Sequence, residues 1–260
     1  MITTLEIGVI IFLTILSGAG LGMLLGRLLP AHHLSDQSRS IITLATAVVG
    51  TASALVLGLL ISTASSAFQQ RSSEVGRIAV DIIRVDRSLR IYGPEADSVR
   101  QSLARYASIE FEDLFPTGSD KTAKVDKPSA VQLLRGIRVG LFALRPSDDS
   151  QHQIKERGLQ LVDEMADTRW LLATQQNISP IPTAFLIMLV FWLTILFATF
   201  GLFAPRNATV AAALVLSAVA VSSGLELVLD MTDPFSGIVR ISSAPMRHAL
   251  EMTRQDDPTP

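Results

Sequence analysis

Hydrophobic and polar positions fall in long blocks rather than in short alternating repeats. Ile7–Leu29 is an apolar run with Arg27 near its end. A second covers Ile41–Ile61, and no charged residue lies between Arg39 and Arg71. A third covers Ile181–Phe203 and a fourth Ala208–Leu225. Each has a length within the roughly 17–25 residues of a membrane-spanning helix. The second run contains no proline and continues beyond Arg71 with a new period. Val75, Ile82 and Leu89 are seven residues apart, as are Ile78, Val85 and Tyr92. That is a heptad seam, and Arg77 with Asp81 and Asp86 with Arg90 read as i,i+4 pairs on the wet surface of the stem. The pattern predicts one helix over Ile41–Tyr92, about 75 Å long, which crosses the bilayer and goes on as a stem.

Gly93-Pro94 ends the stem, because proline disfavours a helical residue before it. Further helices are predicted over Glu95–Ile109, Ser129–Leu144 and Gln151–Asn177. Residues 111–128 lack periodicity and are rich in charge and turn formers, so they read as an exposed mobile loop. Pro180 and Pro182 suit the first turn of the third span. Ala204-Pro205-Arg206-Asn207 is a tight turn that makes spans three and four a hairpin. Ile241–Leu250 suits a short helix, and Arg254–Pro260 a disordered tail. The predicted fold is all-α: four transmembrane helices with an inserted helical cytoplasmic domain. The divisions are 1–63, 64–178, 179–232 and 233–260.

Charge adds an orientation. Segment 64–178 holds 16 basic and 16 acidic residues, a balance that suits a solvated domain and shows no basic patch for nucleic acid. Four spans put both termini on its side. Arg71, Arg77, Arg169, Arg240 and Arg247 flank the membrane there, against Arg27, Arg39 and Arg206 opposite. The arginine bias places the domain and both termini in the cytoplasm, and the protein in a bacterial inner membrane. The chain has no cysteine, which excludes disulfides and thiolate metal sites. A nucleophile–base signature, a phosphate loop and a metal-ligand spacing are all lacking, so neither an enzyme nor a cofactor is expected.

Candidate functional residues lie on three helices. Gly18, Gly22 and Gly26 share one face of the first span and let another helix approach closely. On the second span Thr43, Thr46, Gly50 and Ser53 form a small polar stripe, continued by apolar Leu57 and Leu60. Gly50, Ala54 and Gly58 form a small-residue ridge beside it. Two readings fit: helix packing through hydroxyls, or a pore wall with a constriction at Leu57 and Leu60. After the fourth span Glu226, Asp230 and Asp233 share one helical face. Acids there oppose the helix dipole, so arginine partners, a turn capped by Asp233 or a bound cation should offset them. His32 and His33 are adjacent and point apart, which suits interfacial histidines better than a metal or pH-sensing site.

Several short motifs carry a family likeness. They are Leu29-Pro30 with His33-Leu34-Ser35, the run Ala54–Ile61, and Asp86-Arg87-Ser88-Leu89 with Tyr92-Gly93-Pro94-Glu95. Phe200-Gly201-Leu202, Pro205 with Asn207, Pro234-Phe235-Ser236-Gly237 and Ser243-Ala244-Pro245 follow in order. Their succession resembles the bestrophin-like family of bacterial membrane proteins, whose function is unassigned. The resemblance implies kinship with bestrophins, which are pentameric anion channels with a pore-lining second helix, an apolar neck, and an acidic calcium clasp beside a Pro-Phe-Gly. Leu57 and Leu60 would take the neck position, where bestrophins use Ile and Phe. Here the acids precede Pro234-Phe235 instead of following it, which departs from a calcium clasp. The expected function is therefore a homo-oligomeric ion channel in contact with membrane lipid and small ions. The alternative is a membrane-anchored interaction or sensory protein whose helical domain binds partners.

Overall fold

The computed structural model describes residues 4–30, 35–116, 129–176, 180–205, 207–235 and 237–254. His32, His33, most of the 111–128 loop and the tail beyond Arg254 lie outside them. Eight α-helices follow in order: α1 Thr4–Leu28, α2 Asp36–Tyr92, α3 Asp97–Leu114, α4 Ala130–Ala143, α5 Asp149–Gln176, α6 Thr183–Phe203, α7 Ala208–Asp230 and α8 Ala244–Arg254. No strand occurs among the described residues, and α1, α2, α6 and α7 are long and apolar enough to cross a membrane.

The chain forms two compact units, Met1–Phe68 with Ser179–Arg240, and Gln69–Ile178 with Ile241–Pro260. In the first, α1, α6 and α7 pack around a core of Ile11, Ile15, Leu189, Leu193, Phe197 and Leu225, to which α2 contributes Leu60 and Ala64. The glycine face of α1 is what brings α6 close. A Cβ on Gly18 would lie 2.5 Å from the Thr194 carbonyl oxygen, and one on Gly26 2.8 Å from that of Leu202. On Gly22 it would collide with the Ala198 carbonyl, and on Gly201 of α6 with that of Ala19. Asn207 opens α7 by accepting the Val210 N–H at 2.8 Å.

The second unit is built on the stem. α2 is a single helix of 57 residues, begun by Ser35, whose hydroxyl accepts the Ser38 N–H. It stops at Gly93, whose φ of 119° is a conformation that residues with a side chain rarely adopt. Every residue of the heptad seam, Val75 to Tyr92, is buried within this unit. α5 runs antiparallel to the stem. Arg71 donates to the Gln175 carbonyl at 2.9 Å, Arg77 pairs with Glu164 at 3.4 Å, and Gln151 donates to the Tyr92 carbonyl at 2.9 Å. Ser129 and Gln132 form a capping box that starts α4.

Two sequence expectations change. α3 does not stop at Ile109 but continues to Leu114, because Glu110 and Leu114 are buried and Glu110 pairs with Arg169 of α5. Asp81 and Asp86 are not on a wet surface; both lie inside the unit. Asp86 ties three elements, accepting from Arg90 at 2.7 Å and from Arg100 of α3 at 3.3 Å, while Arg90 also donates to the Met252 carbonyl of α8. Finally, α8, which falls in the expected 233–260 segment, groups with the stem and buries Met246, Ala249 and Leu250.

Candidate functional site

The expected stripe on α2 divides between two surfaces. Ser53 is 3% exposed and returns its hydroxyl to the Val49 carbonyl at 2.8 Å. Leu60, at 5% exposed, belongs to the apolar core, and half-buried Leu57 packs against that core. Gly50 looks at Leu196 of α6, with 3.7 Å between that side chain and where a Cβ would stand. Thr46 is half-buried and bonds the Ile42 carbonyl. These side chains are turned into the chain's own bundle. Thr43 is exposed, and so are Ala54 and Gly58, the latter with nothing within 4 Å of a would-be Cβ.

The opposite face of α2 is uncovered. Leu44, Val48, Thr51, Leu55, Gly58 and Ser62 recur at 3–4 residue spacing, and all are exposed. Leu44 and Leu55 are each 71% exposed. The face carries no charge, and it alternates large apolar side chains with Thr, Gly and Ser. Sequence periodicity contains this second stripe as plainly as the first. What it lacks is the information about which stripe the protein covers with its own helices.

The acidic face at the end of α7 is not gathered into one site. Asp230 is buried; its Oδ2 accepts the Val239 N–H at 2.7 Å, and its Oδ1 lies against Gly237, where a Cβ would clash. The backbone N–H of Val239, not an arginine, therefore offsets this acid at the helix end. Glu226 turns the other way and lays its carboxylate on Gly8 of α1, with Oε2 2.8 Å from a would-be Cβ. Asp233 is exposed, and its carbonyl accepts the Gly237 N–H. Among the described residues no cluster of three or more His, Asp or Glu is placed to hold a metal ion.

In the stem unit, Arg169 ties α5 to Glu110 and Asp113 of α3. Burial of its guanidinium lowers its pKa. Tyr106 beside it is fully buried, and burial pushes its phenol upward. These groups sit inside the packing and present no open cleft.

The family model described as the Bestrophin-like domain matches residues 13–246. No curated protein matches. Solved structures do. A single-substitution variant of a bacterial bestrophin homologue from Klebsiella pneumoniae superposes with a TM-score of 0.70 at 16% identity, covering 97% of this chain and 99% of that one. Another structure of that homologue gives 0.64 at 17% identity, covering 94% and 100%. A crystal structure described only as a membrane protein variant gives 0.66 at 16% identity, covering 94% and 99%. At such identities the likeness establishes the fold.

Proposed function

The chain belongs to the bestrophin-like family, and on that premise we propose that it is a homo-oligomeric ion channel whose second helix lines the conducting path. The observation that carries the proposal is the uncovered, uncharged face of α2. A helix surface meant only for lipid gains nothing from Thr51, Gly58 and Ser62 interleaved with Leu44, Val48 and Leu55. Small residues let copies of α2 approach a common axis, and hydroxyls offer oxygens to a partly dehydrated ion. Thr43 adjoins this face. Leu55 supplies the narrow, dewettable point that Leu57 and Leu60, turned into the bundle, leave unfilled. Gly50, Ser53 and Leu60 hold α2 to its own bundle. The arginine bias supports a cytoplasmic helical unit with both termini on the same side.

Purified protein in planar bilayers tests the reading. Ionic currents are expected, and Leu55→Ala is expected to raise the open probability without disturbing oligomer size. Absence of current from correctly assembled wild-type oligomers overturns the proposal. A second reading rests on α4, where Val131, Val139 and Phe142 are exposed on a helix outside the spans. It makes the chain a membrane-anchored protein whose helical unit binds a partner.

A further inference from the structure

The stem of α2 sorts its charges by sign. Its acids Glu74, Asp81 and Asp86 are all buried, while Arg77, Arg84 and Arg87 are exposed. The even balance of acids and bases over 64–178 hides this division, because burial creates it. Ser73, Arg77, Val80, Arg84, Arg87 and Ile91 follow one another at spacings of three or four residues, and all are exposed. They form one line on the side of the helix away from the buried heptad seam. Val80 is 45% exposed and Ile91 66%. Arg77 and Arg84 share the inward Asp81 and Arg77 also reaches Glu164, yet both guanidinium groups stand more than half in water with N–H donors to spare. Arg87 enters no ion pair among the described residues.

We propose that this line is the docking seat for an acidic amphipathic helix of a partner protein. Its 3–4 spacing is the one that a helix presents to another helix. From Arg77 to Ile91 the stem rises about 21 Å. A small anion bridging Arg84 and Arg87 leaves Arg77, Val80 and Ile91 unused. An extended polyanion supplies charge but no apolar groups for Val80 and Ile91. A helix with carboxylates facing the arginines and aliphatic side chains over Val80 and Ile91 answers the whole line. A second copy of the stem is a poor occupant, because symmetric pairing in register sets Arg84 against Arg84. Lipid is excluded by length along α2 itself. The stretch from Ile61 to Arg77 rises about 24 Å, well past a headgroup layer of roughly 5–7 Å. The seat is separate from the exposed face of α4 and does not depend on whether the chain conducts.

The test uses full-length protein in nanodiscs and a fluorescent peptide about three heptads long, with leucine on its seam and glutamate beside it. A scrambled isomer of the same composition, without the helical period, is the comparison. The ordered peptide should bind at least about tenfold tighter than the scrambled one, and its affinity should fall as salt rises. Arg84→Glu combined with Arg87→Glu should weaken that binding at least about tenfold, and should instead favour a peptide carrying lysine in place of glutamate. A misfolded variant cannot give that reversal. Equal binding of the two isomers means a plain polyanion surface and overturns the helix seat. Binding undiminished by Arg84→Glu with Arg87→Glu places the contact elsewhere and overturns it too, as does no binding of either isomer. The chain has no cysteine, which allows a check on the competing occupant. Disulfide-linked dimers of Arg84→Cys mean that a second copy covers the stem, and they overturn the proposal.

Discussion

Asp81 is a carboxylate in surroundings that favour its neutral form. It is 1% exposed. Arg84 stands 3.4 Å from one oxygen and Arg77 3.9 Å from the other, and both guanidinium side chains are more than half in water. Burial is the dominant influence and raises its pKa above 3.8; Arg84 and Arg77 oppose this and Glu164 adds to it. The sign follows from linkage. The folded state holds the proton more tightly than the unfolded chain, so the stabilisation is complete below about pH 4 and is lost as pH rises through the folded value. The melting temperature of the full chain should therefore fall as pH climbs from 4 toward neutrality. Asp81→Asn should flatten that slope and raise the melting temperature at pH 7 more than at pH 4. A parallel pair of melting curves across pH, with no convergence at the acid end, would count against the assignment. The sequence displayed Arg77 and Asp81 as a helix-surface pair. Their depth came from α5, which approaches from far along the chain.

At the level of elements, close approach of α1 to α6 is the most sharply specified contact. Gly22 and Gly20 sit two residues apart and behave oppositely. A Cβ at Gly22 meets the α6 backbone at Ala198, whereas at Gly20 it meets nothing within 4 Å. Gly22→Leu should cost at least the roughly 1–3 kcal/mol of an overpacked core. Gly20→Leu, pointing outward, should stay within about 0.5 kcal/mol of the wild type. Thermal unfolding of both variants in the same detergent measures the contrast; equal losses would mean that α1 does not pack on α6 by this face. The element pattern itself was readable from sequence because spans, stem and breakers each carry a local physical signal. An apolar run, a heptad, and Gly93-Pro94 place α1, α2, α6 and α7 to within a turn or so. The errors arose where a distant partner decides. The last turn of α3 looks like loop in FEDLF, yet Arg169 on α5 draws Glu110 inward and the helix continues. α8 was legible as a short helix near Pro245, but not its attachment to the stem, where Arg90, paired with Asp86, donates to the Met252 carbonyl.

The whole molecule turns on which side of α2 is left bare. Two stripes of small and hydroxylated residues wind along that helix, and one chain's bundle covers the stripe containing Ser53 and Leu60. The other stripe can be completed only from outside the protomer, by lipid or by copies of itself. A single-cysteine scan separates these cases cleanly, because the chain has no cysteine of its own. Charged thiol reagents added from water should modify Thr51→Cys and Ser62→Cys and reduce current through reconstituted protein. Leu55→Cys should react more slowly, since an apolar ring admits a hydrated reagent poorly. Ser53→Cys and Leu60→Cys should resist modification in the folded protein, being closed off by α6 and the core. Oxidative cross-linking at Gly58→Cys should join copies of α2 across or around an axis, whereas a lipid-facing residue gives monomers. Reaction at Ser53 and Leu60 but not at Thr51 and Ser62 would mean that α2 rotates when the proposed channel assembles. The conducting wall would then be the stripe that this protomer keeps inside.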